Sequence, residues 1–579
     1  MNKPIADLHC HPSLKPANNE KIEDIWTYKK NLTTKRLFKG LFGLGISPRK
    51  WAVNIFVRDM ATYTQTNLDS CYEGNNRLLF FAIYPPERPF LRPDRPFKGA
   101  TPKQRFLLNR IFGKKLKRNV DNKIIRLLTG FSTQRTKAYL DSIYKAQEVD
   151  YFEDYIKEYD YILKSNGTFS TNDKYIFKPT LRLVKNYEEY QELIEKNEIA
   201  GILTAEGMHA FAAYNGNDLF TKKSIEQLSD DNRTSLEKSF IENINKLKNP
   251  DEFEFPPFFV TFSHHFNNLI AGHANTFADS KIRTIPGFSD VFNQQNGLDE
   301  GITAFGKTLL RDHLFSRENG PRILVDTKHM SLKTRTDFVE IVKQFKKNGD
   351  NIPIICSHTA INGIPTREKA AARADTNRLD ENSYVSRWDI NVTDEDLIEI
   401  YDTEGVVGIC MHDGRMPGGK FKKLLKGFKR GIEQTESIKR LHAQMFLTNI
   451  FHVARINLNH IRELNKKQAL AIPENSAWDT ICLGSDSDGI VDPFDHYNTA
   501  DRLDDFKHRI AKAIKLNFLP TMEKFRIICV DEDDCRFYTL EEINDIMQGF
   551  TPEEIADKVF SDNIVTFLSK FFTKKYLHG

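Results

Sequence analysis

A chain of 579 residues is long enough for several domains, although an α/β barrel can absorb such a length as insertions between its elements. Hydrophobic residues make up 40% and charged residues 28% of the sequence, which fits a soluble globular protein with a sizeable core. The formal net charge of +4 is small for this length, so the overall charge identifies no partner.

The cysteines and the hydropathy pattern argue against a disulfide-rich protein and against a transmembrane protein. Seven cysteines in so long a chain do not make a disulfide framework, and none forms a Cys-x-x-Cys pair. No run approaches the roughly 18 apolar residues of a transmembrane helix, and the N-terminus lacks the apolar stretch of a signal peptide. We therefore expect a cytoplasmic protein in a reducing compartment, without a transmembrane segment.

Eight short runs rich in Ile, Val, Phe and Cys follow one another along the chain, and most end in a polar or charged residue. Nearly continuous apolar runs of this kind are typical of strands buried on both faces of a parallel sheet. The runs are Ile5–His11, Leu78–Tyr84, Gly201–Glu206, Phe258–His264, Arg322–Asp326, Ile352–His358, Gly405–Met411 and Thr480–Asp486.

Amphipathic stretches between these runs predict helices. Apolar residues recur at three-to-four spacing in Thr303–Leu314 and Lys333–Lys347, and Thr393 is a suitable N-cap for a helix over Asp394–Tyr401. Strand and helix alternating eight times predict an α/β fold, a TIM-type (β/α)₈ barrel. A doubly wound sheet is the alternative, but eight units favour closure.

Three intervals are longer than a barrel helix requires. We interpret the whole chain, 1–579, as a single barrel with long loop insertions on the face that carries the βα loops. The insertions are residues 88–180 between the second and third strands, 361–390 after the sixth, and 412–477 between the seventh and eighth.

Two segments within these insertions are strongly basic, with apolar residues interleaved: Arg92–Lys137 and Gly418–Arg430. Such segments can lie on a membrane surface, contact nucleic acid or attract acidic ligands. We favour helices that pack their apolar stripe on the barrel or on a second copy of the chain, which leaves a homodimer open. No nucleic-acid partner is expected, because no recognised nucleic-acid module is present.

Residues able to bind a metal lie at the ends of the predicted strands. His9 and His11 alternate along the first strand, so both side chains point to one face and can hold one metal ion. Glu206, His329, His358 and Asp486 end or follow other strands, and all strand ends of a barrel converge on one rim. Each alone has an ordinary structural explanation, such as a buried histidine or a loop-capping acid; the set together predicts a metal site.

The motifs resemble those of the membrane (renal) dipeptidases, a branch of the amidohydrolase superfamily. Their order is His-x-His, Glu-Gly, Thr-Phe-Ser-His264, Val-Asp-x-x-His-Met-Ser, Cys-Ser-His-Thr, Asn-Val-Thr-Asp-Glu and Gly-Ser-Asp-x-Asp-Gly. The resemblance covers the chain from Ile5 to about Phe572, apart from the insertions.

This resemblance implies a role for each matching residue and a cofactor of two zinc ions. His9 and His11 would bind one zinc ion, and His329 and His358 would bind the other. Glu206 would bridge the two ions. His264 would bind substrate and hold the developing oxyanion, while Asp486 would act as acid and base. His265, beside His264, matches the family pattern less well. The implied reaction is metal-assisted hydrolysis of a dipeptide substrate.

Two positions depart from the family pattern. The family usually has His-x-Asp where this chain has His9-Cys-His11, which makes the metal site more positive by one charge. The family's arginine for the substrate carboxylate precedes Asn-Val, where this chain has Ile390. Arg387 could substitute for it, because a guanidinium pairs a carboxylate through two hydrogen bonds, although a surface arginine is an equal reading.

Three functions therefore remain open. The first is a dinuclear zinc peptidase acting on a dipeptide or similar small amide. The second is an amidohydrolase acting on a non-peptide amide or lactone, which Ile390 favours. The third is an inactive barrel used as a scaffold through its basic insertions; the complete set of ligand types argues against it.

Overall fold

The computed structural model describes thirteen parts of the chain. They are residues 3–28, 64–91, 129–145, 148–194, 196, 198–215, 218–276, 294–373, 380–429, 435–468, 470–519, 526–531 and 535–579. Most of the basic segment Arg92–Lys137, and Arg430 at the end of the other, lie outside these ranges.

Eight parallel strands form the barrel, and each falls within or overlaps one of the eight apolar runs. Their side chains are almost entirely buried, as expected for strands covered on both faces. In chain order they are β1 (Ile5–Cys10), β2 (Asn76–Ile83), β3 (Glu198–Glu206), β4 (Phe259–Thr261), β5 (Leu324–Asp326), β6 (Ile355–Thr359), β7 (Val406–Ile409) and β8 (Ile481–Leu483).

The strands pair in chain order, and the barrel closes between the first and the last. Cys10 forms a parallel bridge with Ser487, just beyond β8. The amide of His11 donates to the carbonyl of Ser487 at 2.9 Å, and the amide of Asp486 donates to the carbonyl of His9, also at 2.9 Å. The predicted (β/α)₈ fold is therefore confirmed, and its closure places His9, His11 and Asp486 side by side.

Several short strands lie outside the barrel order. Thr180–Leu183 runs parallel to β3 as an additional strand, with Leu181 opposite Ile199. Glu148–Asp150 pairs antiparallel with Ala213–Asn215, and Ile528–Val530 with Cys535–Phe537.

The helices surround the barrel. The α-helices are Leu14–Ala17, Leu68–Glu73, Thr133–Lys145, Tyr151–Ser165, Tyr187–Gln191, Asp218–Thr221, Asp230–Lys248, Ala304–Thr308, Leu332–Lys347, Arg367–Ala372, Asp394–Asp402, Gly419–Lys429, Thr435–Gln468, Leu503–Leu516, Leu540–Met547, Pro552–Asp557, Asn563–Phe571 and Lys574–His578. Single π-helical turns continue two of them, Leu309–Leu314 and Lys558–Asp562. Short 3₁₀ turns are Arg88–Leu91, Met208–Phe211, Ile225–Gln227, Glu474–Trp478 and Ala500–Arg502.

The three helices predicted from spacing are present. Thr393 caps the helix Asp394–Asp402 in a reciprocal capping box with Asp396, and Ser331 caps Leu332–Lys347 through the amide of Thr334. These caps determine the residue at which each helix begins.

The interval after β7 contains a helix of 34 residues, Thr435–Gln468, whose central side chains are buried. Asn449 on this helix accepts a hydrogen bond from the amide of Ile361 at 2.9 Å, two residues beyond β6. The basic helix Gly419–Lys429 packs against it and buries Phe421 and Leu425. The long helix therefore supports the loop that follows β6.

Two glycines allow β6, β7 and β8 to approach one another. A Cβ atom at Gly408 would lie 1.9 Å from the carbonyl oxygen of Ser357, and one at Gly484 would lie 2.0 Å from the same atom. Ser357 precedes His358, so this close approach also determines where the imidazole of His358 lies.

No cysteine is in a disulfide, and six of the seven are buried. Cys10, Cys356, Cys410 and Cys482 are at most 2% exposed within the barrel strands or directly beside them, as predicted for thiols that act as small apolar side chains. Among the described helices, none combines the length and apolar character needed to cross a membrane.

Candidate metal centre

The predicted metal ligands, together with His264 and Asp486, converge at the C-terminal ends of the barrel strands. His9 and His11 come from the end of β1, Glu206 ends β3, and His358 lies on β6. Three more follow their strands within a few residues: His264 after β4, His329 after β5 and Asp486 after β8. Residues that span almost the whole sequence are thereby brought into one cluster.

The carboxylate of Glu206 lies at the centre of this cluster, because the Nε2 atoms of five histidines face its oxygens. The distances are 3.4 Å for His9, 3.2 Å for His11, 3.3 Å for His264, 3.7 Å for His329 and 3.8 Å for His358. His9 and His11 also approach each other to 3.1 Å through these atoms. A single carboxylate thus contacts imidazoles from four different strand ends.

Asp486 lies on another side of the same cluster. Its Oδ1 is 3.9 Å from Nε2 of His9 and 3.7 Å from that of His11, and its Oδ2 is 3.6 Å from Nε2 of His358. Asp486 therefore faces the centre together with Glu206, and it can serve as a metal ligand or as a proton carrier.

Every member of the cluster is buried, with at most 5% of its surface exposed. Burial alone would raise the pKa of Glu206, but the imidazoles of His264, His11 and His9 outweigh it and hold that pKa well below its usual value. For Asp486 burial dominates, and together with the charge of Glu206 it raises the pKa against the opposing effect of His9. The two carboxyl groups therefore have different proton affinities.

The donor set fits a transition-metal cation. Potential ligand atoms within 4.8 Å of one another form one group with His9, His11, Glu206 and Asp486, and a second with Glu206, His329 and His358. The Nε2 atom of His358 is buried without a hydrogen-bond partner in the described part of the chain, although two carboxylates face it. Imidazole nitrogens with carboxylate oxygens are a ligand set that zinc accepts, and Glu206 is common to both groups.

Hydrogen bonds around the cluster hold the imidazole of His358 and join neighbouring strand ends. Asp326, at the end of β5, accepts hydrogen bonds from the amide and hydroxyl of Ser357, and Ser357 in turn lies 2.9 Å from Nδ1 of His358. Asp7 accepts a hydrogen bond from the amide of Ser485 at 2.9 Å, joining β1 to the end of β8. Such outer contacts set the orientation of a metal-binding imidazole and determine which of its nitrogens faces the ion.

Two site residues have a left-handed backbone, which a non-glycine residue rarely adopts. The φ angle is 65° at His329 and 56° at Asp486. Each such residue costs on the order of 1 kcal/mol or more, and positions of this kind concentrate at functional sites. Here the turns redirect both side chains from their strand ends toward Glu206.

Glu87 is part of the site although the sequence pattern did not single it out. Its Oε2 lies 2.6 Å from Nδ1 of His264, and its Oε1 accepts from the amide of Phe266 at 2.9 Å. Burial disfavours a charged ring at His264, but the carboxylates of Glu206 and Glu87 outweigh it and raise the pKa of His264 to about 10. An acid three residues beyond the predicted second strand was the only sequence signal for this contact.

His265 lies beside His264, with ring centroids 3.8 Å apart, and shares a third group of potential ligands with His264 and His329. Its Nδ1 is 3.2 Å from the hydroxyl of Thr276. The Nε2 atom of His264 lies 3.3 Å from Oε1 of Glu206.

Arg387 and Ile390 are the two positions that the sequence relates to the substrate carboxylate. Arg387 donates to the backbone carbonyls of Asn362, Gly363 and Asp531 at 2.7–2.8 Å. Ile390 is buried in a small apolar group with Ala274 and Trp388. Arg387 thus supports loop backbone. Ile390 packs with Ala274, whose amide donates to the carbonyl of His329 at 2.8 Å.

Solved structures similar to this chain are dipeptidases and metallopeptidases. A dipeptidase described as a metallopeptidase is 13% identical over 99% of both chains, with a TM-score of 0.42. A metallopeptidase from Rhodobacter sphaeroides, liganded with a phosphinate mimic of the dipeptide L-Ala-D-Ala, is 12% identical over 98% of this chain and 99% of its own, with a TM-score of 0.41. A probable dipeptidase from Pseudomonas aeruginosa is 11% identical over 87% of this chain and 88% of its own, with a TM-score of 0.38.

No protein-family profile matches the chain, and no curated protein matches it. At the identities and TM-scores of the solved structures, similarity carries no argument about activity. Eight parallel strands paired in chain order define the fold, and the side chains around Glu206 define the candidate site.

Proposed function

We propose that this protein is a dinuclear zinc-dependent hydrolase that cleaves a dipeptide or a similar small amide. The convergence of five buried imidazoles on the carboxylate of Glu206, with Asp486 on another side, is the observation that carries the proposal. A cluster with this many titratable groups is costly to bury without a cation to bind its donors, so a purely structural role accounts for it poorly.

The ligands divide into two groups around the shared carboxylate. His9 and His11 would hold one ion and His329 and His358 the other, with Glu206 between them. Two bound zinc ions would supply activation of a water molecule and polarisation of the scissile carbonyl.

The remaining residues would handle protons and charge. Asp486, whose pKa is raised, is suited to pass a proton to the leaving nitrogen. His264 is held by Glu87 through Nδ1 and directs Nε2 toward the centre, where a protonated ring can donate to a developing oxyanion. Burial of the whole cluster strengthens both interactions, because the local dielectric is low.

A second candidate is hydrolysis of a non-peptide amide or lactone by the same cluster. Ile390 favours it, since this buried apolar residue stands where the resembled family has its arginine for the substrate carboxylate. The metal ligands and Asp486 would have the same roles in this reaction.

A substrate screen of zinc-loaded protein distinguishes these functions. The panel would contain dipeptides with L- and D-residues at each position, N-acyl amino acids and lactones, with chelator-treated protein as the control. We expect zinc-dependent cleavage of at least one class of dipeptide. Turnover of lactones or N-acyl compounds alone would favour the second candidate, and no turnover of any compound by fully loaded protein would contradict hydrolysis.

A further inference from the structure

Asp326 is a fully buried side chain at the end of β5, and its carboxylate accepts four hydrogen bonds. Its Oδ1 accepts from the amide of Lys328 at 3.0 Å and from the amide of Ser357 at 2.9 Å. Its Oδ2 accepts from the hydroxyls of Thr261 and Ser357, both at 2.7 Å. One carboxylate therefore joins the end of β4, the turn after β5 and the middle of β6.

The hydroxyl of Ser357 transmits the effect of this carboxylate to His358. A hydroxyl has a single proton, and Ser357 donates it to Asp326, since a carboxylate can only accept. The oxygen of Ser357 must then accept from Nδ1 of His358, 2.9 Å away, so Nδ1 carries the proton of the neutral ring. The lone pair is thereby left on Nε2, which faces Glu206 at 3.8 Å.

Asp326 also holds the turn that carries His329. The hydrogen bond from the amide of Lys328 to Oδ1 closes this turn directly before His329, where φ is 65°. On the other side, the amide of Ala274 donates to the carbonyl of His329 at 2.8 Å. The left-handed turn directs Nε2 of His329 to 3.7 Å from Glu206.

The ring protons of the other proposed ligands are not set in this way. The Nδ1 atoms of His9, His11 and His329 are buried without a hydrogen-bond partner among the described residues. The described contacts thus assign a tautomer to His358 and leave that of His9 and His11 open. The two proposed ions therefore differ in how the protein prepares their ligands.

We propose that Asp326 is a positioning residue that prepares both histidines of one metal ion. It fixes the ring proton of His358 through Ser357, and it holds the turn from which His329 projects. This inference rests on the proposed function and specifies which residue controls the binding of one of its two ions. Loss of Asp326 should weaken that ion selectively, which a general loss of stability would not do.

Replacing Asp326 by Asn should reverse the relay. The amide oxygen can still accept from the two backbone amides, but the NH₂ group donates where Oδ2 accepted. Ser357 then gives its proton to Nδ1 of His358, and the ring proton moves to Nε2, the nitrogen that faces the metal centre. After zinc loading and removal of excess metal, Asp326→Asn should retain about one ion per chain where wild-type protein retains about two.

Ser357→Ala interrupts the relay without reversing it, and it serves if Asp326→Asn does not fold. The affinity for one ion should fall by about 10- to 100-fold, the usual effect of losing an outer contact to a metal ligand, and the other ion should be nearly unaffected. Competition with a chelator measures both affinities. Equal weakening of both ions, or unchanged affinity for both, would overturn the inference.

Asp69→Asn is the matched control. Asp69 is also a buried carboxylate, and it accepts from the hydroxyl of Ser170 at 2.6 Å and from Asn172 at 2.9 Å, away from the metal centre. This variant should lower the melting temperature and retain both ions. Selective loss of one ion in Asp69→Asn as well would show that the effect follows from stability and not from Asp326.

The tautomer of His358 can be read without bound zinc or turnover. Metal-free protein labelled with ¹⁵N in its histidines gives separate NMR signals for protonated and unprotonated ring nitrogens, and His358→Gln identifies the signals of this ring. At pH 8 we expect the proton on Nδ1 in wild-type protein and on Nε2 in Asp326→Asn. If wild-type protein binds no zinc, the proposed function fails while this spectrum still decides on Asp326. A wild-type ring protonated on Nε2 would contradict the inference.

Discussion

At the scale of single residues, Glu206 and Asp486 show how position separates two carboxyl groups in one cluster. Glu206 lies among the imidazoles, which hold its pKa down against burial, whereas burial and Glu206 itself raise the pKa of Asp486. The first is therefore suited to bind cations permanently and the second to gain and lose a proton.

Replacing Asp486 by Asn tests this division. Asn is nearly isosteric and tolerates the left-handed backbone at this position, where φ is 56°. If Asp486 carries protons, kcat should fall by about 10²–10⁴ with a much smaller change in KM, while metal content and melting temperature stay near the wild-type values.

Measuring all three quantities on one preparation separates the alternatives. Loss of metal in step with activity would make Asp486 mainly a ligand, consistent with its place beside His9 and His11. A lower melting temperature with nearly normal kcat would make its role structural, and a wild-type kcat would rule out proton transfer.

At the scale of elements, three strands of the barrel approach one another closely around Ser357. Its carbonyl fits between Gly408 on β7 and Gly484 after β8, at places where neither glycine could carry a side chain without a clash. Ser357 also contacts Nδ1 of His358, so strand packing and ligand orientation depend on one residue.

We expect Gly408→Ala to weaken both the packing of the strands and the orientation of His358. A methyl group 1.9 Å from a carbonyl oxygen forces the backbone of β6 and β7 apart, so unfolding free energy should fall by about 2 kcal/mol or more. Metal affinity should weaken because His358 moves with β6. Thermal unfolding and metal titration measure the two effects.

The control is Gly427→Ala, in the exposed part of the helix Gly419–Lys429. A Cβ atom there meets nothing within 4 Å, and alanine favours a helix over glycine by about 0.5–1 kcal/mol. This variant should be as stable as wild type or slightly more so. Unchanged stability and metal affinity in Gly408→Ala would show that β6 and β7 do not require this close approach.

The order of the barrel elements could be predicted from the sequence because strands buried on both faces leave a simple trace. Each of the eight apolar runs became a strand, and Thr393 marked the start of its helix to the residue. The additional strand Thr180–Leu183 left no such trace: its residues alternate between apolar and polar, and it begins at the last residue of the insertion 88–180.

The candidate site was predictable only in part, for a related reason. Ligands at strand ends have a fixed place in a barrel, so His9, Glu206 and His358 could be anticipated to meet. Glu87 lies in a loop, where contact depends on how the loop folds back rather than on a period. Its contact with His264 becomes visible only from the distance of 2.6 Å between their side chains.

At the scale of the whole molecule, closure of the barrel assembles the centre. The first and last strands are joined by the backbone contacts of His9 and His11 with Asp486 and Ser487, across nearly 480 positions of sequence. The ligands of the two proposed ions therefore come from opposite parts of one closed sheet, and the site should form only when the barrel is complete.

Metal content per chain is the measurement that tests the central claim most directly. Protein loaded with zinc and freed of excess metal should retain about two ions per chain, as expected for a centre in which one carboxylate joins two ions. His329→Ala should retain about one, because Glu206 still serves the other ion. His452→Gln, which changes a buried histidine paired with Asp394 at 2.6 Å on the long helix, should retain both. Wild-type protein that is folded, exposed to ample zinc and found to hold none would contradict the account.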